Sequence, residues 1–140
     1  MATNLTSYLV FANNCREAMN YYHEAFGGDL QVMTMGDSPM KDHMPPGAEN
    51  LVMHAFLQAP GFALMASDGM QGPAPVNGDS VQLALGVEST PEAERLFEKL
   101  AAGGKVTMPL QETFWAHRYG QLTDKFGINW MVSHNKPMTM

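Results

Sequence analysis

Apolar positions along this chain recur with two periods, and the order in which the periods alternate predicts its elements. Ser7–Ala12 is a short apolar run containing Tyr and Val, suited to a strand. Asn13 or Asn14 can then cap a helix in which Ala18, Tyr21, Tyr22, Ala25 and Phe26 fall on one core-facing stripe. Gly27-Gly28 ends that helix, supplying the left-handed residue a helix C-terminus favours. Leu30–Met35 predicts a strand. Leu51–Gln58 and Phe62–Ala66 predict two more, joined by a turn at Pro60-Gly61. The intervening Gly36–Asn50, with three prolines and two glycines, is a loop long enough to have a task such as covering a site.

Gly69–Asp79 (GMQGPAPVNGD) reads as a linker, after which the same order of elements begins again. Val81–Val87 predicts a strand. Ser89 or Thr90 caps a helix with Pro91 in its first turn and Glu92 available for a capping box. Its stripe, Ala93, Leu96, Phe97, Leu100 and Ala101, is the first stripe displaced by 75 residues, and Gly103-Gly104 ends it, displaced by 76. Lys105–Met108 predicts a strand, and Glu112–Trp130 a hairpin around the turn Asp124-Lys125-Phe126-Gly127. Each half therefore reads β-α-β-β-β, a duplication. A helix covers one face of each sheet and leaves the other bare, and two units bury more surface by pairing so that the bare faces curve around a common cavity. The expected architecture is α+β: two paired βαβββ modules forming a cup-shaped mixed sheet with the helices outside. It fills one domain, 1–140, with module one at 1–68, the linker at 69–79 and module two at 80–135.

Strand alternation assigns residues to the cavity. With Leu83, Leu85 and Val87 on the helix, Gln82, Ala84 and Gly86 face inward. An even-numbered turn in the hairpin pairs Leu122 with Asn129, Gly120 with Met131 and Arg118 with Ser133. Arg118 and Met131 then point one way, and Trp115, His117, Tyr119, Trp130 and Val132 the other. Rings, a fixed cation and a histidine on stiff strands suit a small-molecule pocket. The alternative is an amphipathic hairpin whose rings belong to the core.

Composition narrows the partners. At 140 residues the chain suits one domain, and the net charge of −6 comes without a Lys/Arg cluster. That argues against nucleic acid and anionic membrane, both of which require a basic footprint. No apolar run is long enough to span a bilayer, and the first residues lack the pattern of a signal peptide. One cysteine, Cys15, permits no internal disulfide, so a cytoplasmic location is expected. Cys15 reads as a helix-start residue rather than a nucleophile. The thirteen methionines read as adaptable packing.

Tyr8-Leu9-Val10-Phe11, Ala18–Gly28 (AMNYYHEAFGG), Ser67-Asp68-Gly69 and Glu112–Trp130 (ETFWAHRYGQLTDKFGINW), together with the element order, resemble the vicinal oxygen chelate superfamily of glyoxalase I, extradiol dioxygenases and bleomycin-resistance proteins. The resemblance is closest to its PhnB-like branch. It implies the paired βαβββ fold and a homodimer. It also implies a divalent metal held by His, Gln or Glu from the first and last strand of each module. Carried onto this sequence, those positions fall at Ser7, near Met65, at Gln82 and at Met131. Only Gln82 suits a hard or borderline cation, so no metal and no other cofactor is expected.

A substitute metal set from His54, His117 and Glu112 or Asp68 has no supporting spacing. His23, His43 and His134 read as solvated, and Asp68 and Asp124 as turn residues. Methyl transfer, a label sometimes given to this branch, lacks its glycine-rich loop, since Asn13-Asn14 occupies the first strand–helix junction. The expectation is a protein binding a small anionic or carbonyl-containing molecule through Ser7, Leu9, His54, Met65, Gln82, Trp115, Arg118 and Met131. Arg118 would hold an oxygen with its fork of donors. The alternative is a metal-dependent isomerase, lyase or dioxygenase of the same superfamily.

Overall fold

A computed structural model describes residues 3–39, 42, 47–69, 75 and 78–137. In the first half β1 (Ser7–Phe11) leads into α1 (Cys15–Phe26), followed by β2 (Asp29–Thr34), β3 (Val52–Ala59) and β4 (Phe62–Asp68). In the second half β5 (Leu83–Gly86) leads into α2 (Thr90–Ala101), followed by β6 (Lys105–Gln111), β7 (Ala116–Thr123) and β8 (Asn129–Asn135). The strands form two four-stranded mixed sheets, ordered β1-β4-β3-β2 and β5-β8-β7-β6. In each sheet the first and last strands of the half pair in parallel and the remaining pairs are antiparallel. The duplication seen in the helical stripes is thus a duplication of topology. The chain divides into two compact units, Met1–Val76 and Asn77–Met140. Most of the expected linker lies outside the described residues, as does His43 with the middle of the long loop.

One face of each sheet is fixed by its helix. α1 buries Cys15, Ala18, Met19, Tyr22 and Ala25. Leu9, Phe11, Ala55, Leu57, Leu64 and Ala66 are buried on the sheet beneath. In the second unit α2 buries Ala93, Leu96 and Leu100, and Leu85, Leu122, Trp130 and Val132 are buried on its sheet. The glycine pairs after the helices have two separate tasks. Gly27 and Gly103 take left-handed φ of 75° and 77°, turning the chain out of the helix. Gly28 and Gly104 pass so close to the neighbouring strand that a Cβ would overlap the carbonyl oxygens of Gln58 and Thr123.

The two helices start differently. Ser89 Oγ accepts the Glu92 N–H at 3.2 Å, the expected local cap. Asn14 makes no side-chain cap. Asp68, at the end of β4, does the work instead: Oδ1 accepts the Cys15 N–H at 3.0 Å and Oδ2 the Val52 N–H at 2.9 Å. Asp68 is 4% exposed, a buried anion at a helix N-terminus rather than a residue of a turn. Burial first, and Asp68 second, push the Cys15 thiol up to about 12. Cys15 is fully buried as the first residue of α1. At the other end of α1, His23 Nε2 lies 2.8 Å from the Gly28 carbonyl oxygen, so it is a bonded helix-end residue and not a merely solvated one.

Candidate functional site

The register of the β7–β8 hairpin decides which side chains share a face, and it differs from the expected one by a residue. Gly127 N–H donates to the Asp124 carbonyl at 3.0 Å and Asp124 N–H to the Ile128 carbonyl at 2.8 Å, with Gly127 at φ 89°. A turn closed by a left-handed glycine adds a bulge residue. Leu122 therefore pairs with Trp130, Gly120 with Val132 and Tyr119 with Ser133. Asp124 fixes this turn: Oδ1 accepts the Phe126 and Ile128 N–H groups at 2.9 and 3.0 Å, and Oδ2 accepts Trp130 Nε1–H at 2.8 Å. Trp130 is thereby committed to the core under α2.

On the face away from α2, Met108, Gln121, Met131 and Ala84 form one row across the sheet. The next row holds Gln111, Tyr119, Ser133 and Gly86. Gln121 Nε2 donates to the Tyr119 hydroxyl at 2.8 Å. The Trp115 ring meets the Tyr119 ring at 5.3 Å, edge to face, and Phe114 meets Trp115 in the same manner at 4.8 Å. The loop carrying Trp115 is held at both ends. Thr113 N–H donates to the Ala116 carbonyl and Ala116 N–H to Thr113 Oγ1, each at 3.0 Å, while Lys136 N–H donates to the Trp115 carbonyl at 2.8 Å. A ring wall beside a hydroxyl and an amide can hold a flat molecule and bond its oxygen.

Arg118 is not on this face. The register set by the turn pairs Arg118 with His134, in step with Gly120 and Val132 on the helix side, and the bulge at His117 lies beyond it. There Nε lies 3.8 Å from Glu94 Oε1 of α2, and Nη1–H donates to the His117 carbonyl at 2.7 Å. The inward arginine expected from alternation is corrected by the bulge at the turn. His134 also lies at the start of α2, with Nδ1 3.0 Å from Thr90 Oγ1 and its ring 4.8 Å from that of His117, so it too is bonded. Glu112 pairs with Lys136 at 2.9 Å, and that hydrogen bond holds its carboxyl below the usual carboxylate range.

In the first sheet the register separates the expected ligand residues. Leu9 is buried and, with Ser7 and Phe11, shares the α1 side with Leu64, Ala66 and Asp68. The open side carries Tyr8, which pairs with Met65, and Met65 in turn pairs with Phe56. His54 is there too, paired with Met33 and with its ring 6.0 Å from that of Tyr8. Ser7 and Leu9 are thus corrected to Tyr8 and Val10 as the β1 residues of the open side. Gln82 is exposed just ahead of β5, and Ala84 is the residue beside Met131.

Those positions test the divalent metal that the resemblance implies. Within the first sheet these positions hold Tyr8 and Met65, and within the second Ala84 and Met131; neither pair supplies an imidazole or a carboxylate. Zn²⁺, Mn²⁺ and Ni²⁺ sites want imidazole and carboxylate, so the residues do not fit. No group of three or more His, Cys, Asp or Glu side chains able to hold a metal occurs among the described residues. Nor, among them, is any helix long and apolar enough to cross a membrane.

Comparison with known proteins agrees with this geometry. The chain is 37% identical to Protein YjdN of Escherichia coli strain K12 over 139 residues, covering 92% of this chain and 93% of that one. The solved structure of PA1353 from Pseudomonas aeruginosa is 43% identical and superposes with a TM-score of 0.85, covering 97% of this chain and 100% of that one. A Bacillus cereus structure named as a putative 3-demethylubiquinone-9 3-methyltransferase, PhnB protein, is 27% identical with a TM-score of 0.77, covering 94% and 99%. The family model described as Glyoxalase/Bleomycin resistance protein/Dioxygenase superfamily matches residues 4–132, and the chain belongs to that superfamily.

Proposed function

We propose that this chain binds a small oxygen-bearing organic molecule on the open face of its second sheet, without the divalent metal of its superfamily's enzymes. One observation carries the reading: Trp115, Tyr119 and Gln121 form a bonded ring-and-amide wall on a sheet face where Ala84 and Met131 pair side by side with no imidazole or carboxylate between them. Affinity at such a face comes from ring burial and one or two directed hydrogen bonds. Methyl transfer finds no support here. The α1 N-terminus, the place a glycine-rich loop would give a methyl-transfer cofactor, is occupied by the Asp68 carboxylate.

The test is a thermal-shift screen of purified protein in EDTA against quinones, aromatic ketones, aromatic acids and phosphonates, with elemental analysis of the same sample. Stabilisation by at least one class in metal-free protein is expected. No shift with any class, or a stoichiometric divalent ion that survives purification and is required for binding, overturns the proposal.

A further inference from the structure

We infer that the Tyr119 hydroxyl, oriented by Gln121, selects an uncharged carbonyl compound over a carboxylate or a hydrocarbon of the same size; this rests on the binding reading above. Gln121 Nε2–H occupies a lone pair of the Tyr119 oxygen. The hydroxyl proton has no acceptor among the described residues. A hydroxyl that accepts one hydrogen bond is polarised into a better donor for the next. Tyr119 is 8% exposed, so its position is set by packing, and the Trp115 ring walls one side of it.

Charge excludes the anion. Apart from Tyr119, the described side chains on this face of β5, β7 and β8 carry no ionisable group. Lys105 is in register only at the exposed start of edge strand β6. The hairpin's arginine is engaged by Glu94 on the other side, and Lys136 is paired with Glu112. A bound carboxylate would lose hydration with no cation in exchange, in a chain of net charge −6. A hydrocarbon would bury the Tyr119 proton unpaired, the circumstance in which polar sites reject apolar analogues.

Acetophenone, ethylbenzene and benzoate share ring and size and differ in the group presented to Tyr119. In NMR titrations of the full chain, acetophenone should bind about tenfold tighter than ethylbenzene. Benzoate should bind weakest. Tyr119→Phe should erase the preference, with acetophenone weakening and ethylbenzene tightening once no unpaired hydroxyl is buried, and Gln121→Leu should reduce it in part. Equal binding of acetophenone and ethylbenzene, tightest binding of benzoate, or an undiminished preference in folded Tyr119→Phe would overturn this inference and leave the binding proposal standing. Failure of all three probes, together with every class in the wider screen, would overturn both. Should Tyr119→Phe fail to fold, the Gln121→Leu variant decides: a preference equal to that of the parent chain contradicts the inference.

Discussion

The two sheets share one topology but have diverged on one side only. Under the helices both are apolar and close-packed, and both place a glycine against a neighbouring carbonyl. On the open sides, matching rows read Gln31, Phe56, Met65, Tyr8 in the first sheet and Met108, Gln121, Met131, Ala84 in the second. Each row holds one glutamine, but the first adds two rings and one thioether, and the second two thioethers, a methyl and no ring. Packing constrains the helix side through every contact, whereas the open side is free of that constraint. The helix starts diverge for the same reason: either a local serine or a strand-borne aspartate satisfies the backbone, so long as some acceptor is present.

If the shared side is the constrained one, substitutions there should have the largest effects. Gly28→Ala combines a left-handed φ of 89° with overlap onto the Gln58 carbonyl. It should destabilise by about 4 kcal/mol or more in urea melts. Asp68→Ala strips two buried N–H groups of their acceptor and should cost about 3 kcal/mol, against about 1 kcal/mol for Ser89→Ala at the equivalent helix start. Equal losses would erase the distinction between strand-borne and local capping.

The two faces of the second sheet can be compared directly. A Cβ on Gly120 would sit 2.6 Å from Phe97 Cε2 and 3.0 Å from the Leu110 backbone, so Gly120→Ala should cost about 2 kcal/mol. A Cβ on Gly86 meets nothing within 4 Å, and Gly86→Ala should stay within about 0.5 kcal/mol.

Another effect appears only in alkali. The folded Cys15 thiol ionises near 12 against an ordinary 9.0, so its stabilising contribution is complete below about 9 and lost as pH rises toward 12. Cys15→Ala should flatten that part of the stability profile, and Ellman's reagent at pH 8 should react only as fast as the protein opens. Arg118→Ala should also be mild, costing less than about 1 kcal/mol, since its ion pair with Glu94 is long and largely exposed. It should leave ligand affinity unchanged, where Tyr119→Phe does not.

The duplicated fold was legible because helical stripes and terminating glycine pairs are local signals, and both recur at the same spacing. Faces were less legible. Alternation is right only between bulges, and the chain has one at His117 and another at the Gly127 turn, each of which moves residues by one position. Gly127 was a readable sign of the second, since a glycine closing an Asp-Lys-Phe-Gly turn favours an odd connection. Nothing local announced the first. Met65 and Met131 face away from the helices, and Trp115 lies beside Met131's face, whereas alternation gives Trp115 and Met131 opposite sides. Arg118 and Leu9 were not foreseen on the helix side. Tyr119 and Gln121, two residues apart on one strand, share a face in any register, and the true register decides that this is the face away from α2. Asp68 was misread for a different reason: its partners Val52 and Cys15 are 16 and 53 residues away, beyond any local motif.

The most direct test is an amide chemical-shift map of the metal-free protein in EDTA as acetophenone is added. The largest changes should fall on Ala84, Trp115, Tyr119, Gln121 and Met131, with no need for a divalent ion. Changes confined to the first sheet or the helices, or changes seen only after Mn²⁺ or Ni²⁺ is supplied, would contradict the account.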